Sequence, residues 1–133
     1  MNPHTRYRTS TAYSWTRIDM LLMIYEKLVH ALQEGVRLLE KQQTRELVPV
    51  QIQVQRCITL IADGLDMSAG DVPRNVARLC LFTVDNTRTD SLEGWQASLR
   101  VMSQVRDGFQ QIQDEARELE HSGKIPALDL AGY

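Results

Sequence analysis

The chain has 133 residues, of which 43% are hydrophobic and 24% are charged, and its formal net charge at pH 7 is −2. This length suits one domain with one core, and the composition is that of an ordinary globular protein. Because the charge is nearly balanced and arginines alternate with acidic residues, we expect neither a nucleic-acid nor a membrane partner.

The cysteine content and the N-terminal sequence bear on the compartment. Two cysteines, Cys57 and Cys80, are too few for a disulfide framework or a structural zinc site. Both fall at apolar positions of helical patterns, so we expect buried, reduced thiols. No stretch resembles a signal peptide or a membrane-spanning helix. These features predict a cytoplasmic protein.

The first elements in the chain are an arm and a long amphipathic helix. Residues 1–15 lack a clean hydrophobic period and are predicted to form an extended N-terminal arm. Thr16 and Asp19 match a capping box, in which each side chain bonds the backbone N–H of the other residue. Apolar residues then recur in steps of three and four, which predicts a helix over about 17–43.

Three further helical patterns follow. The second helix begins near Pro49 and ends near Leu65, and the third begins at Asp71. After a polar run at residues 85–90, a box formed by Asp90 and Glu93 opens the longest helix, whose apolar stripe extends to Leu119. Short connections favour antiparallel neighbours. We therefore predict an all-α, antiparallel up-down four-helix bundle over residues 16–121, with a C-terminal tail at 122–133.

A search for catalytic chemistry finds no motif. His30 has Glu26 and Glu34 one turn to either side, but three weak ligands on one helix are better explained as a solvated, ion-pairing face than as a metal site. We expect no enzymatic activity, no metal and no cofactor. Among the glycines, we expect close packing at Gly64 and an exposed aromatic edge where Gly108 precedes Phe109.

The first helix carries more apolar surface than one face requires. Every residue from 20 to 25 is apolar. Either this helix is central and buried nearly all round, or one side faces a groove for an apolar partner. Met20 and Met23 favour the groove, because flexible thioethers adapt to irregular partners. The aromatic residues of the arm would then cover that groove; they are Tyr7, Tyr13 and Trp15.

An ordered series of motifs resembles the flagellin export chaperones of the FliS family. Tyr7 precedes an aliphatic run ending in Tyr25, as a lone tyrosine precedes an "MLY" run in that family. Residues 61–66 and 70–72 are similar to its "IIxxL…GGEI" passage, residues 75–79 to "NLxxLY" and residues 105–109 to "LRDAW". The chain departs at Arg17, where the family has proline, and at residues 79–83, which lack the family's two tyrosines.

The resemblance implies a cytoplasmic chaperone that holds the disordered C-terminal segment of flagellin in hydrophobic grooves and prevents premature polymerisation. The family motifs contribute Tyr7, Leu22, Ile24 and Tyr25, with Leu79 and Phe82 from the third helix; each could instead be a core residue. The full predicted partner-binding set is Tyr7, Tyr13, Trp15, Met20, Leu22, Met23, Ile24, Tyr25, Leu79 and Phe82. The alternative function is a structural or regulatory bundle that self-associates as a homodimer through helix 1 and the tail.

Overall fold

The computed structural model describes residues 16–124, and all regular secondary structure in that range is helical. The five α-helices are α1 (Arg17–Glu40), α2 (Leu47–Asp63), α3 (Asp71–Thr87), α4 (Leu92–Gln111) and α5 (Gln113–His121), with a 3₁₀ turn at Thr44–Glu46. The predicted all-α class is confirmed. The predicted arm at 1–15, with Tyr7, Tyr13 and Trp15, lies outside the described residues. Residues 125–133 of the predicted tail lie outside them as well.

The capping box of α1 is present as predicted. Asp19 N–H donates to Thr16 Oγ1 at 3.4 Å, and Thr16 N–H donates to Asp19 Oδ2 at 3.1 Å. The predicted box of the fourth helix is displaced by one residue, because Ser91 is the N-cap and its hydroxyl accepts from Gly94 N–H. Ser91 has the extended backbone conformation that an N-cap requires.

The C-terminus of α1 explains why this helix is shorter than predicted. Gln42 has a φ of 57°, in the left-handed region, so the helix ends before it. Gln42 N–H donates to Leu39 O, and Gln43 N–H donates to Leu38 O at 2.8 Å. This pair of bonds is the Schellman motif, which satisfies carbonyl groups of the last turn.

The longest predicted helix is in fact two helices. Ile112 has φ −101° and ψ 5°, and its N–H donates to Phe109 O at 3.3 Å, a bond to the third residue back rather than the fourth. This tighter turn ends α4. Ala116 N–H then donates to Ile112 O, which starts α5. The prediction of a continuous helix to residue 121 was therefore wrong.

Helix α1 is the centre of the packing. It contacts α2, α4 and α5, while α3 contacts α4 and α2. The backbones of α1 and α3, and those of α2 and α4, lie farther apart, with no Cα pair within 8 Å. The core includes the fully buried side chains Tyr25, Leu28, Leu32, Val54 and Trp95. Because three helices cover α1, much of its wide apolar arc is accounted for by packing.

Two glycines permit close helix contacts. A Cβ at Gly35 would lie 2.2 Å from a ring carbon of Trp95, and one at Gly94 would lie 2.6 Å from Asn86 O. By contrast, a Cβ at Gly64 would meet its nearest atoms at 3.6 Å, which is ordinary contact. The expectation of close packing at Gly64 was wrong, since that glycine is exposed at the C-cap of α2.

Candidate polypeptide-binding site

An apolar groove runs between α3 and α4. Its volume is about 270 Å³. Its lining residues are Val72, Asn75, Val76, Leu79, Gln104, Val105, Gly108, Phe109 and Ile112. Val72 is 65% exposed and Ile112 is 46% exposed, although both are large aliphatic residues. We call this surface the α3–α4 groove; clustered exposed apolar side chains of this kind mark interaction sites.

Two features shape the α4 side of the groove: Gly108 leaves it open, and the ring pair of Phe109 and Tyr25 makes it rigid. A Cβ at Gly108 would meet nothing within 4 Å. The neighbouring Phe109 ring stacks on Tyr25, with centroids 5.4 Å apart and an interplanar angle of 26°. Since Tyr25 is fully buried, it supports the Phe109 ring from the core side.

The Tyr25 hydroxyl is an unusual feature of this core. It is buried and has no hydrogen-bond partner among the described residues. Burial raises the pKa of Tyr25, and the nearby Cys80 thiol raises it further. The phenol therefore stays neutral at physiological pH.

A second recess lies between α1 and the junction of α4 with α5, with a volume of about 600 Å³. Its lining residues are Asp19, Leu22, Met23, Glu26, Gln110, Gln113 and Arg117. We call it the α1–α5 recess. Polar bonds cross it: Arg117 pairs with Asp19 at 2.6 Å, and Gln110 donates to Glu26 at 3.0 Å.

The electrostatics of the α1–α5 recess are dominated by Asp19. Burial alone raises the pKa of this carboxyl, but hydrogen bonds from Arg117, Gln113 and Thr16 outweigh burial and lower the pKa to about 2. Asp19 is therefore ionised at any physiological pH and binds both its own helix terminus and α5.

A third groove, between α1 and α2, has a volume of about 420 Å³. It is lined by Lys27, His30, Ala31, Glu34, Pro49, Val50 and Gln53. Glu34 is committed to Arg37, whose guanidinium accounts for the lowered pKa of Glu34. Over residues 16–124, no three His, Cys, Asp or Glu side chains are grouped so that they could hold a metal ion.

The predicted site residues within the described range fall in different environments. Leu22 and Tyr25 are buried, and Ile24 is half-buried against the core. Met20 and Met23 are half-buried on α1, where Met23 lines the α1–α5 recess.

The two predicted residues of α3 are more accessible. Leu79 is half-buried and lines the α3–α4 groove, and Phe82 is 38% exposed. The structure thus brings Leu79 close to Phe109, the ring that stacks on Tyr25, while Leu22 and Met23 line a separate recess.

Sequence reasoning missed the exposed side chains of the α3–α4 groove. Val72 and Ile112 fit the apolar stripes of their helices, and the stripes alone gave no sign that these two side chains are exposed. One signal was available: an isolated glycine beside an aromatic residue, at Gly108 and Phe109, already indicated an open ring edge.

Comparison of the chain with protein-family models, with curated proteins and with solved structures gave no match. Within the part of the chain that the structure describes, none of the helices combines the length and the apolar character needed to cross a membrane.

Proposed function

We propose that this chain is a non-enzymatic, cytoplasmic export chaperone that binds the disordered C-terminal segment of flagellin, and that the α3–α4 groove forms part of the binding surface. The observation that carries the proposal is the exposure of Val72 and Ile112 in an apolar groove with an open glycine at Gly108. The flagellin cargo is taken from the sequence resemblance, and the binding mode is argued from the groove.

The groove has the chemistry that suits an amphipathic helix. Such a helix inserts residues spaced i, i+3, i+4 and i+7 into an apolar groove, and polar groups at the rim fix its register. Leu79, Val105 and Phe109 form an apolar floor, and the amides of Asn75 and Gln104 lie at the same groove. The proposed partner contact therefore combines apolar anchors with a few polar bonds.

The proposed scaffold is an antiparallel up-down bundle of α1 to α4. Three contacts between helix ends support this arrangement. Gln51, near the start of α2, donates to Thr87 O at the end of α3 at 3.1 Å. Gly35, in the last third of α1, contacts Trp95 near the start of α4. Gly94, near the start of α4, faces Asn86 at the end of α3.

A wrapping mode of binding accounts for apolar residues beyond the groove. A disordered segment can cover a large surface as it folds, at a cost in conformational entropy. Exposed aliphatic side chains outside the groove offer further contacts for such a segment; they are Ile52, Leu60 and Leu81. While bound, the flagellin segment would be unable to pack against other subunits.

The test is calorimetric titration of the full chain with the C-terminal segment of flagellin from the same organism. We expect binding at tens of micromolar or tighter. Val72→Asp places a charge in the groove. We expect the variant to fold, because Val72 is exposed and lies in the first turn of α3, where an acidic residue suits the helix dipole. We expect this change to weaken binding by about tenfold or more, as for a desolvated interface anchor.

The matched control is Val48→Asp. Val48 is also an exposed valine in the first turn of a helix, 56% exposed in α2, and it does not line the α3–α4 groove. A larger loss with Val48→Asp than with Val72→Asp would move the principal contact to α2. No binding by the wild-type chain would refute the flagellin assignment, and a stable dimer unaffected by flagellin in light scattering would favour the self-association alternative.

A further inference from the structure

Helix α5 is attached to the N-terminus of α1 by a buried carboxylate. The N–H of Arg17, the first residue of α1, donates to both carboxylate oxygens of Glu120 at 3.3 Å. The Arg17 guanidinium also lies 3.6 Å from Glu120. Glu120 is the one residue of α5 that is buried. A carboxylate at a helix N-terminus is favoured, because it meets unpaired N–H groups and the positive end of the dipole.

A second polar attachment lies one turn earlier on α5. Arg117 Nε donates to Asp19 Oδ1 at 2.7 Å, and Gln113 Nε2 donates to the same oxygen at 2.9 Å. The two attachments are reciprocal in sign: α5 presents an acid to the terminus of α1, and α1 presents an acid to the arginine of α5. We call Asp19, Arg117, Glu120 and the N–H of Arg17 the latch.

Aliphatic side chains of α1 lie next to α5. A recess of about 200 Å³ lies between the two helices and is lined by Arg17, Ile18, Leu21, Ala116 and Glu120. Leu21 belongs to the apolar run at residues 20–25 of α1, and the next two residues of that run, Leu22 and Met23, line the α1–α5 recess. The latch therefore holds a polar helix over aliphatic side chains.

Several features make α5 the helix that can detach at least cost. It has nine residues, too few for a stable isolated helix. Among the helices that the structure describes, it contacts α1 and the adjoining α4 alone, and Ile112 already interrupts the helical hydrogen bonding between α4 and α5. Arg117 is 42% exposed, so its ion pair with Asp19 is weakened by solvent.

We propose that α5 is an autoinhibitory lid. It covers a surface on the N-terminal half of α1 that includes Ile18 and Leu21, which we call the seat. When the latch opens, one amphipathic helix of the bound polypeptide takes the place of α5 on this seat. The contacts of that polypeptide helix follow from the charge and shape of the surface that α5 leaves. Its apolar face contacts Ile18 and Leu21, and an acidic side chain replaces Glu120 at the terminus of α1. This inference rests on the proposed function for the source of that helix, whereas the latch and the covered seat rest on the contacts above.

The first experiment measures amide hydrogen exchange of the full chain without any partner. Arg117→Glu reverses one charge of the latch, and we expect exchange in residues 113–121 to accelerate about tenfold while α1 to α4 keep their protection. Arg88→Glu is the matched control, because Arg88 makes an exposed pair with Asp85 on α3, away from the latch. Unchanged exchange in residues 113–121 would overturn the latch.

A dye reports the covered seat without reference to flagellin. We expect 1-anilinonaphthalene-8-sulfonate fluorescence to rise with Arg117→Glu and to stay at the wild-type value with Arg88→Glu. No rise on release of α5 would mean that the helix covers no apolar seat, and the lid would be abandoned even if the exchange result held.

The final experiment adds a saturating flagellin C-terminal segment to the wild-type chain. Displacement predicts faster exchange in residues 113–121 and about five- to tenfold tighter binding by Arg117→Glu, because the variant no longer has to open the lid. Slower exchange together with weaker binding by the variant would make α5 part of the binding surface and refute autoinhibition. If the wild-type chain and the variant both fail to bind, the flagellin proposal fails, and the exchange and dye results decide the lid.

Discussion

Gly35 shows how one residue sets the distance between two helices. A Cβ at this position would lie 2.2 and 2.3 Å from two ring carbons of Trp95, which is fully buried and donates its indole N–H to Thr89 O at 2.9 Å. The ring is therefore fixed both by packing and by a hydrogen bond. A glycine in a helix interior costs about 1 kcal/mol relative to alanine, and here close contact compensates for that cost.

We predict that Gly35→Ala destabilises the chain by about 1–2 kcal/mol, since overpacking of the Trp95 ring exceeds the gain in helix propensity. Gly108→Ala is the control: its Cβ would meet nothing within 4 Å, so we expect a stabilisation of about 0.5–1 kcal/mol. Urea unfolding followed by circular dichroism measures both. Equal effects at the two glycines would mean that Trp95 moves aside.

At the scale of elements, the N-terminus of α1 joins two helices through one carboxylate. Asp19 completes the capping box with Thr16 and pairs with Arg117 of α5. The pKa of Asp19 is lowered from 3.8 to about 2 in the folded state. Because the folded pKa lies below the unfolded value, this group stabilises the fold fully above about pH 4, and the contribution is lost as pH falls from 4 to 2.

Asp19→Asn should therefore lower the free energy of unfolding by about 1–2 kcal/mol at pH 7, after allowance for solvent around Arg117. The difference from wild type should shrink between pH 4 and pH 2. Urea titrations at several pH values measure it. Asp85→Asn provides the control, because the exposed Asp85 carboxylate lies on α3, which α5 does not contact, and this change should alter the free energy of unfolding by less than about 0.5 kcal/mol at pH 7. A deficit of Asp19→Asn that persists at pH 2 would show that the carboxylate charge is not its cause.

The sequence was sufficient for some elements and not for others, for identifiable reasons. Local signals, such as the Thr16 box and the three-and-four periodicity, predicted α1 well, because capping and amphipathicity depend on residues a few positions apart. The break at Ile112 was missed, since no proline marks it. The hydrogen bond that holds the separate helix α5 against α1 is donated by Arg17 N–H to Glu120 and spans 103 residues, so no local pattern reveals it.

The candidate site, like the break at Ile112, depends on contacts that the local sequence pattern does not reveal. Periodicity identifies the apolar face of a helix but not which neighbour covers that face. Val72 and Ile112 carry apolar-stripe positions, yet they remain exposed at the ends of α3 and α4. Tyr25, which the sequence left open between a partner contact and a core position, is fully buried and stacks on Phe109.

At the scale of the whole molecule, the fold separates a core shared by four helices from a peripheral fifth. Over residues 16–124, α1 to α4 contribute every member of the buried hydrophobic cluster, whereas the only buried residue of α5 is Glu120. The free energy needed to release α5 should therefore be well below that of global unfolding. Two thiols inside the core make this difference measurable.

Cys57 on α2 and Cys80 on α3 are both buried, and burial raises the pKa of each thiol. Since a thiol reacts as the exposed thiolate, we predict that a disulfide reagent labels them at least about a thousandfold more slowly than a free thiol, at rates that rise with urea as global unfolding does. Arg117→Glu should leave both rates unchanged, because opening of α5 uncovers neither helix. Rapid labelling of Cys80 alone would instead show that α3 detaches first, which would place the mobile element at the α3–α4 groove rather than at the latch.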